Sequence, residues 1–303
     1  MTTGPVYVVL GATGRLGQHL VETLRAQGRR VIGISRRPVA TSETRAEWMQ
    51  ADLTATAQRP QIQKRLCRLL GDEEEVVFAD LLLDRASVTA MRRSIRAATA
   101  FTLRAQHTLA TNGFTVRVLA ASTTAALAPR TLQTPYGQAK RTQAFRYARL
   151  GRIDLVLLPQ LFEAELRGVG NTTRTIIGNS CTYVAAATSL AAISQDPAGR
   201  SLWVVRGSYP HPYVQRGLAG LPTFLGALAL SRTVSRNCPA AHRRASHAGL
   251  ALLPPRIRVQ IDHHGAPERL VRGFARRLGV SRSLIVTAGA QTALPEEHYE
   301  ERP

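Results

Sequence analysis

Over the first half of the chain, short uninterrupted apolar runs alternate with longer stretches of helical periodicity. Val6–Leu10 (VYVVL) is apolar throughout and rich in β-branched residues, the pattern of a strand covered on both faces. LGQHLVETLRAQG carries apolar residues at helical spacing and stops at Gly28. RRVIGIS predicts a second strand ending at Ser35, and a third is expected to end near Asp52. Ala57–Leu70 predicts a helix stopped by Gly71, Glu75–Ala79 a fourth strand, Ser87–Ala110 a long helix ended by Asn112 and Gly113, and Thr115–Ala120 a fifth strand. A loop with Pro129 and Pro135 leads to a helix from Tyr136 to about Leu150, and Ile153–Leu158 is a sixth strand closed by Pro159. Strands and helices alternating in this way predict an α/β fold, a doubly wound parallel sheet with helices on both faces.

Beyond Gln160 the alternation breaks into stretches rich in Gly, Pro and Arg. Trp203–Arg206 and Arg256–Ile261 are candidate strands, and Pro267–Leu278 reads as an amphipathic helix, apolar at Leu270, Val271, Phe274 and Leu278. The expected division is a sheet domain over residues 1–160 and a small C-terminal substrate-side lobe over 161–303, with part of 176–206 rejoining the sheet domain.

Composition changes this picture little. A chain of 303 residues with 44% hydrophobic content is long enough for one large domain and a lobe. The longest apolar candidate, Gly217–Leu230, is interrupted by Pro222 and falls short of the roughly 18 residues of a membrane span. The N-terminus enters a strand without a basic and then apolar leader, and Cys67, Cys181 and Cys238 are few and far apart. A soluble cytoplasmic protein without a disulfide framework is expected. The net charge of +20 raises nucleic acid as a partner. The basic residues, however, run along the whole chain, and all but Lys64 and Lys140 are arginine. A solvated basic surface accounts for them better.

Chemistry enters at the first strand-to-helix turn. Gly11, Gly14 and Gly17 form GxxGxxG there, with Thr13, Arg15 and Leu16 between them. Glycines at this spacing allow a tight turn and close approach of backbone to a pyrophosphate at a helix N-terminus, which makes the sheet domain Rossmann-type. NAD-specific sites place Asp or Glu at the end of the second strand. This chain has Ser35, Arg36 and Arg37, whose forked guanidinium groups suit a 2′-phosphate, so the expected cofactor is NADP(H). Asp52, followed by Leu53, is a candidate for the adenine amino group or for capping the next turn.

PYGQAK places Tyr136 and Lys140 four residues apart, on one helical face. The ammonium then lowers the tyrosine pKa and anchors the nicotinamide ribose, leaving Tyr136 as the proton donor. With 7 tyrosines and two lysines, the pair is expected by chance about once in twenty such chains. Ser122, Thr123 and Thr124 follow the fifth strand and supply a hydroxyl for a substrate carbonyl.

Together these motifs resemble the short-chain dehydrogenase/reductase superfamily, closest to its extended branch, the NAD-dependent epimerase/dehydratase group. The resemblance covers about Val6 to Val205 and is strongest over the glycine loop, the hydroxyl cluster, YGQAK and LLPQLF. It implies an oxidoreductase, with Pro159 among the cofactor contacts. The family's thirteen-residue spacing to the tyrosine selects Thr123, with Ser122 in reserve. CTYVAAATSLAAI looks like the family's segment that returns to the cofactor domain. The dehydratases' Asp-Glu after the hydroxyl is replaced by Thr124 and Ala125, and LVLLPQLFEAE lacks the nucleotide-sugar Asn-Gly-Pro. The expected chemistry is therefore carbonyl reduction of a small molecule, as in tailoring of a polyketide or macrolide, by a monomer or homodimer. A nucleotide-sugar epimerase/dehydratase is the enzyme alternative, and an NADP-sensing DNA-binding regulator the alternative of another class.

Some features carry less. Asp80 and Asp84, in FADLLLD, could reach the cofactor crevice, but exposed strand-end carboxylates are the expectation. Asp262, His263 and His264 lack a third well-spaced ligand, so no metal is expected. ERLVRGFARRLGVSRSLIVTAG also fits a helix-turn-helix with Gly279 in the turn, although a helix packed on the sheet domain fits better.

Overall fold

The computed structural model describes residues 4–38, 47–71, 75–84, 86–127, 135–162, 180–196, 200–206, 268–280 and 282–288. Its elements in chain order are β1 (Val6–Leu10), α1 (Arg15–Ala26), β2 (Val31–Ser35), β3 (Glu47–Gln50), α2 (Arg59–Leu70), β4 (Glu75–Asp80), α3 (Val88–Thr111), β5 (Thr115–Thr123), α4 (Pro135–Tyr147), β6 (Ile153–Leu158), β7 (Gln160–Phe162), β8 (Ser180–Thr182), α5 (Tyr183–Ile193), β9 (Arg200–Arg206), α6 (Glu268–Leu278) and β10 (Arg282–Thr287). Single 3-10 turns precede α2 and follow β5.

Eight strands form one parallel sheet in the order β10-β9-β6-β5-β4-β1-β2-β3. The chain winds outward from β1 through β2 to β3, then crosses back to β4, so the direction of winding reverses between β1 and β4. Ligands of doubly wound sheets lie outside the carboxyl ends of the strands at such a reversal. This is the Rossmann-type fold that the alternating pattern predicts.

Each central strand buries both faces. On one face, Val8, Phe78, Val118 and Leu155 pack against Leu66 of α2, Phe101 of α3 and Tyr147 of α4. On the other, Val9, Val77, Leu119 and Val156 pack against Leu20 of α1 and Leu190 of α5. Continuous apolar runs are thus what such strands require, because alternate side chains enter two different cores. A buried ion pair ties the sheet to α5. Arg117 Nε donates to Asp154 Oδ2 at 2.5 Å, and its other nitrogens donate to the carbonyls of Ile193 and Ser194. Trp203 Nε1 donates to Asp154 Oδ1 at 3.0 Å.

Two strands beyond Gln160 extend the main sheet. β9 pairs with β6 and begins three residues before the expected Trp203. β10 adds the eighth strand beside β9. α6 buries Val271, Phe274, Ala275 and Leu278. Phe274 meets Phe145 of α4 edge-on, with centroids 5.9 Å apart, and the Arg141 guanidinium lies over both rings. The helix-turn-helix alternative fails here, since residues 282–287 form a strand where its second helix would begin. The candidate strand Arg256–Ile261, the apolar stretch 217–230, Cys238 and the Asp262–His264 cluster lie outside the described residues. No helix among the described residues is long and apolar enough to cross a membrane.

Candidate active site

The turn after β1 is closed onto α1. Gly11 has φ of 80°, which strains any side chain, and a Cβ there would stand 3.0 Å from Leu82 Cα. A Cβ on Gly17 would overlap the Gly11 carbonyl oxygen and the Ala12 backbone. Gly14 N donates to Gly11 O at 2.9 Å and then caps α1 without any side-chain bond. The N-cap residue thus offers no side-chain acceptor to the first peptide N–H groups of the helix, and the positive end of its dipole lies at this turn. Thr13, Gly14, Arg15 and Leu16 form the accessible rim, while Gly17 is buried beneath. This cradle fits a pyrophosphate, and with it a dinucleotide, because backbone donors can approach where side chains are excluded.

At the end of β2, Ser35 is buried and its hydroxyl donates to the Arg37 carbonyl at 2.6 Å, folding the chain so that Arg36 and Arg37 stand exposed. Arg36 pairs with Asp84 at 2.9 Å. The N–H of Ala86, followed by Arg36, holds the Asp84 carboxyl below its usual range despite some desolvation. Asp52 accepts from the Thr54 N–H and hydroxyl at 2.8 and 2.7 Å, so it caps the following turn. Burial raises its pKa, but the Thr54 bonds and the charges of Arg36 and Arg93 bring it below the usual value. Leu53 sits in the core with its side chain enclosed, and Pro159 is buried just past β6.

Proline at the first position of α4 sets its start, and Tyr136 is the next residue, half-buried. Lys140, one turn on, is only 3% exposed, and its Nζ donates to the Ala121 carbonyl at 2.8 Å. Tyr136 and Lys140 therefore start a helix that lies against the end of β5. Along β5, Val118 and Ala120 face the core shared with α4, while Leu119 and Ala121 face the other. By this alternation Ser122 stands on the α4 side and Thr123 on the opposite one. Ser122 is buried, and its Oγ has no hydrogen-bond partner among the described residues. A hydroxyl so placed, at a strand end facing α4, has its hydrogen-bonding capacity available to a ligand atom or to water.

Asp80 departs from expectation. It is not an exposed strand-end carboxylate but is fully buried at the end of β4. Its Oδ2 accepts from Gln143 Nε2 and from the Tyr147 hydroxyl, both at 2.6 Å, and its Oδ1 from the Leu82 N–H at 3.2 Å. A strand terminus alone suggests exposure, but here α4 lies across it and supplies the donors. Lys140, Gln143 and Tyr147 lie at helical positions i, i+3 and i+7, a spacing visible in the sequence once α4 is known to bury a polar face. Burial drives the Asp80 carboxyl up, opposed by Lys140, Tyr147, Leu82 and Gln143. The Tyr147 hydroxyl is pushed well above its ordinary value by burial and by Asp80.

A glycine cradle at the reversal of a parallel sheet, with a tyrosine–lysine helix against the end of β5, is an arrangement that fits a dinucleotide. Comparison with known proteins agrees. The model of the NAD dependent epimerase/dehydratase family matches residues 7–150. Over that span, just under half of the chain, the sequence is similar to that family. Among similar solved structures are a short-chain dehydrogenase from Streptomyces avermitilis (17% identity, 78% of this chain and 98% of that one, TM-score 0.54) and one from Leptospira borgpetersenii with bound NAD+ (14% identity, 64% and 87%, TM-score 0.52). A UDP-N-acetylglucosamine 4-epimerase from Bacillus cereus is also similar (18% identity, 74% and 85%, TM-score 0.50). At these identities the likeness is one of fold. The curated proteins yield no match to this chain.

Proposed function

We propose that this protein is an NADPH-dependent carbonyl reductase acting on a small-molecule ketone, of the kind that tailors polyketides or macrolides. The observation that carries the reading is Lys140, buried and bonded to the Ala121 carbonyl one turn along α4 from Tyr136. A buried ammonium there keeps the phenol acidic enough to act as a proton donor. When bound, NADPH supplies the hydride to the carbonyl carbon. Tyr136 gives its hydroxyl proton to the carbonyl oxygen and is reprotonated from solvent. Lys140 stabilises the phenolate formed in that transfer and holds the nicotinamide ribose. Ser122 offers its orphan hydroxyl to the carbonyl oxygen in preference to Thr123, which stands on the other face of β5. Arg36 and Arg37 favour the 2′-phosphate of NADPH.

The test is NADPH oxidation followed against a panel of ketones, with UDP- and dTDP-sugars alongside. Ketone-dependent oxidation that is lost in Tyr136→Phe is expected. Epimerisation or dehydration of a nucleotide sugar, read by NMR, would overturn the reading in favour of the nucleotide-sugar alternative.

A further inference from the structure

The buried polar groups beneath the crevice form a set that the reductase reading leaves unused. Asp80 is in register with Leu10 of β1 and Ala120 of β5, so its neighbouring strands face it with apolar residues. The residue after Ala120 holds Lys140 through its carbonyl. From α4, Lys140, Gln143 and Tyr147 reach toward the Asp80 carboxyl, the first by charge and the others by hydrogen bonds. From α3, the buried side chains of Thr99 and Thr102 flank the Tyr147 phenol, the Thr99 hydroxyl donating to the Ile95 carbonyl. Three donors converge on one carboxyl group, the pattern of an ionised acceptor. An isolated buried ammonium or carboxylate is very costly, whereas a pair with satisfied bonds persists. The two buried charges therefore stabilise each other.

We propose that Asp80 is a positioning residue of this site, its carboxylate being the counter-charge that keeps Lys140 ionised and aimed at the Ala121 carbonyl. The proposal rests on the reading that Lys140 serves the nicotinamide site. Gln143 and Tyr147 fix the carboxylate by two hydrogen bonds, while Lys140 Nζ is held by the Ala121 carbonyl. Lys140 then stays charged without solvent and acts on Tyr136 at the pH where Tyr136 must give up its proton. Asp80 touches no reacting atom and works through Lys140 alone.

The test uses the full chain labelled with 13C,15N-lysine. With two lysines present, the Lys140 and Lys64 side chains give separate resonances, which Lys64→Arg assigns. Asp80→Asn should lower the titration midpoint of Lys140 by about one pH unit or more, while exposed Lys64 does not move. Tyr147→Phe, which removes only a hydroxyl, should move Lys140 less and in the same direction, and it carries the test if Asp80→Asn does not fold. Asp80→Glu should restore part of the shift. With a ketone substrate, the limb of the kcat–pH profile assigned to Tyr136 should move up in Asp80→Asn. A Lys140 midpoint unchanged in both Asp80→Asn and Tyr147→Phe would overturn the pairing, even with reductase activity present. A shifted midpoint without any NADPH turnover would support the pairing and overturn the reductase reading.

Discussion

Arg36, just past β2, and Asp84, beyond β4, are bridged at 2.9 Å across the two sides of the strand reversal. The arginine side chain is 53% exposed and the carboxylate 19%, so the pair is solvent-screened and open to exchange of partners. A 2′-phosphate competing for Arg36 must displace Asp84 or share the arginine with it.

That competition gives the first prediction. The unmodified protein should bind NADPH at least about tenfold more tightly than NADH, about 1.4 kcal/mol. Arg36→Ala with Arg37→Ala should abolish the preference. Asp84→Asn should strengthen NADPH binding several-fold, by about 1 kcal/mol or less, and leave NADH nearly unaffected. Fluorescence titration with both cofactors checks this, and equal affinities in the unmodified protein would refute the role of the arginines.

The chemistry gives the second. Tyr136→Phe should lower turnover by about 10²–10⁴-fold with NADPH binding retained. Lys140→Ala should impair turnover and cofactor binding together, because the ammonium serves both. Ser122→Ala should cost more than Thr123→Ala, since only Ser122 stands on the α4 side of β5. Single-turnover NADPH oxidation by the four variants ranks them, and a larger loss from Thr123→Ala would restore the choice made by spacing.

The cradle gives the third. Gly17→Ala sets a methyl group against the Gly11 carbonyl oxygen and the Ala12 backbone. Backbone cannot yield as a flexible side chain can, so a destabilisation of about 1–3 kcal/mol is expected. Nucleotide affinity should fall with it. Denaturant unfolding and cofactor titration measure the two effects separately, and an unaltered dinucleotide affinity would mean that the turn is no phosphate cradle.

Two structural groups give the fourth. Arg117→Ala should cost about 3–5 kcal/mol, because it leaves Asp154 buried and unpaired. Burial pushes the Cys181 thiol up to about 12. At pH 8 only about one part in ten thousand is then thiolate, and Cys181 should resist alkylation until the fold opens. Labelling followed by peptide mass mapping at rising denaturant checks this, and rapid native labelling of Cys181 would contradict its burial.

Strand and helix identity over residues 6–158 was legible because local rules govern it. A strand buried on both faces must be apolar without interruption, as VYVVL and IDLVLL are, and a helix between two such strands must repeat at its own period. The glycine spacing and the tyrosine–lysine pair were legible for a similar reason: each lies within one turn or one helix, so sequence distance equals spatial distance. Asp80 was misread because its exposure depends on α4, whose buried face carries Lys140, Gln143 and Tyr147 and so shows no amphipathic signature. The pairing of 282–287 with β9 was not legible, because strand pairing across more than seventy residues leaves no local trace.

The sequence by itself thus determined the elements, the parallel sheet and the two local motifs, all matters of short-range sterics and of which residues tolerate burial. Only the tertiary structure decided that β10 completes the sheet, that Ser122 and not Thr123 shares a face with α4, and that α4 covers the carboxylate of Asp80. Each of those depends on which chain segments meet in space, and the free energy of a buried charge is set by the neighbours that packing brings to it.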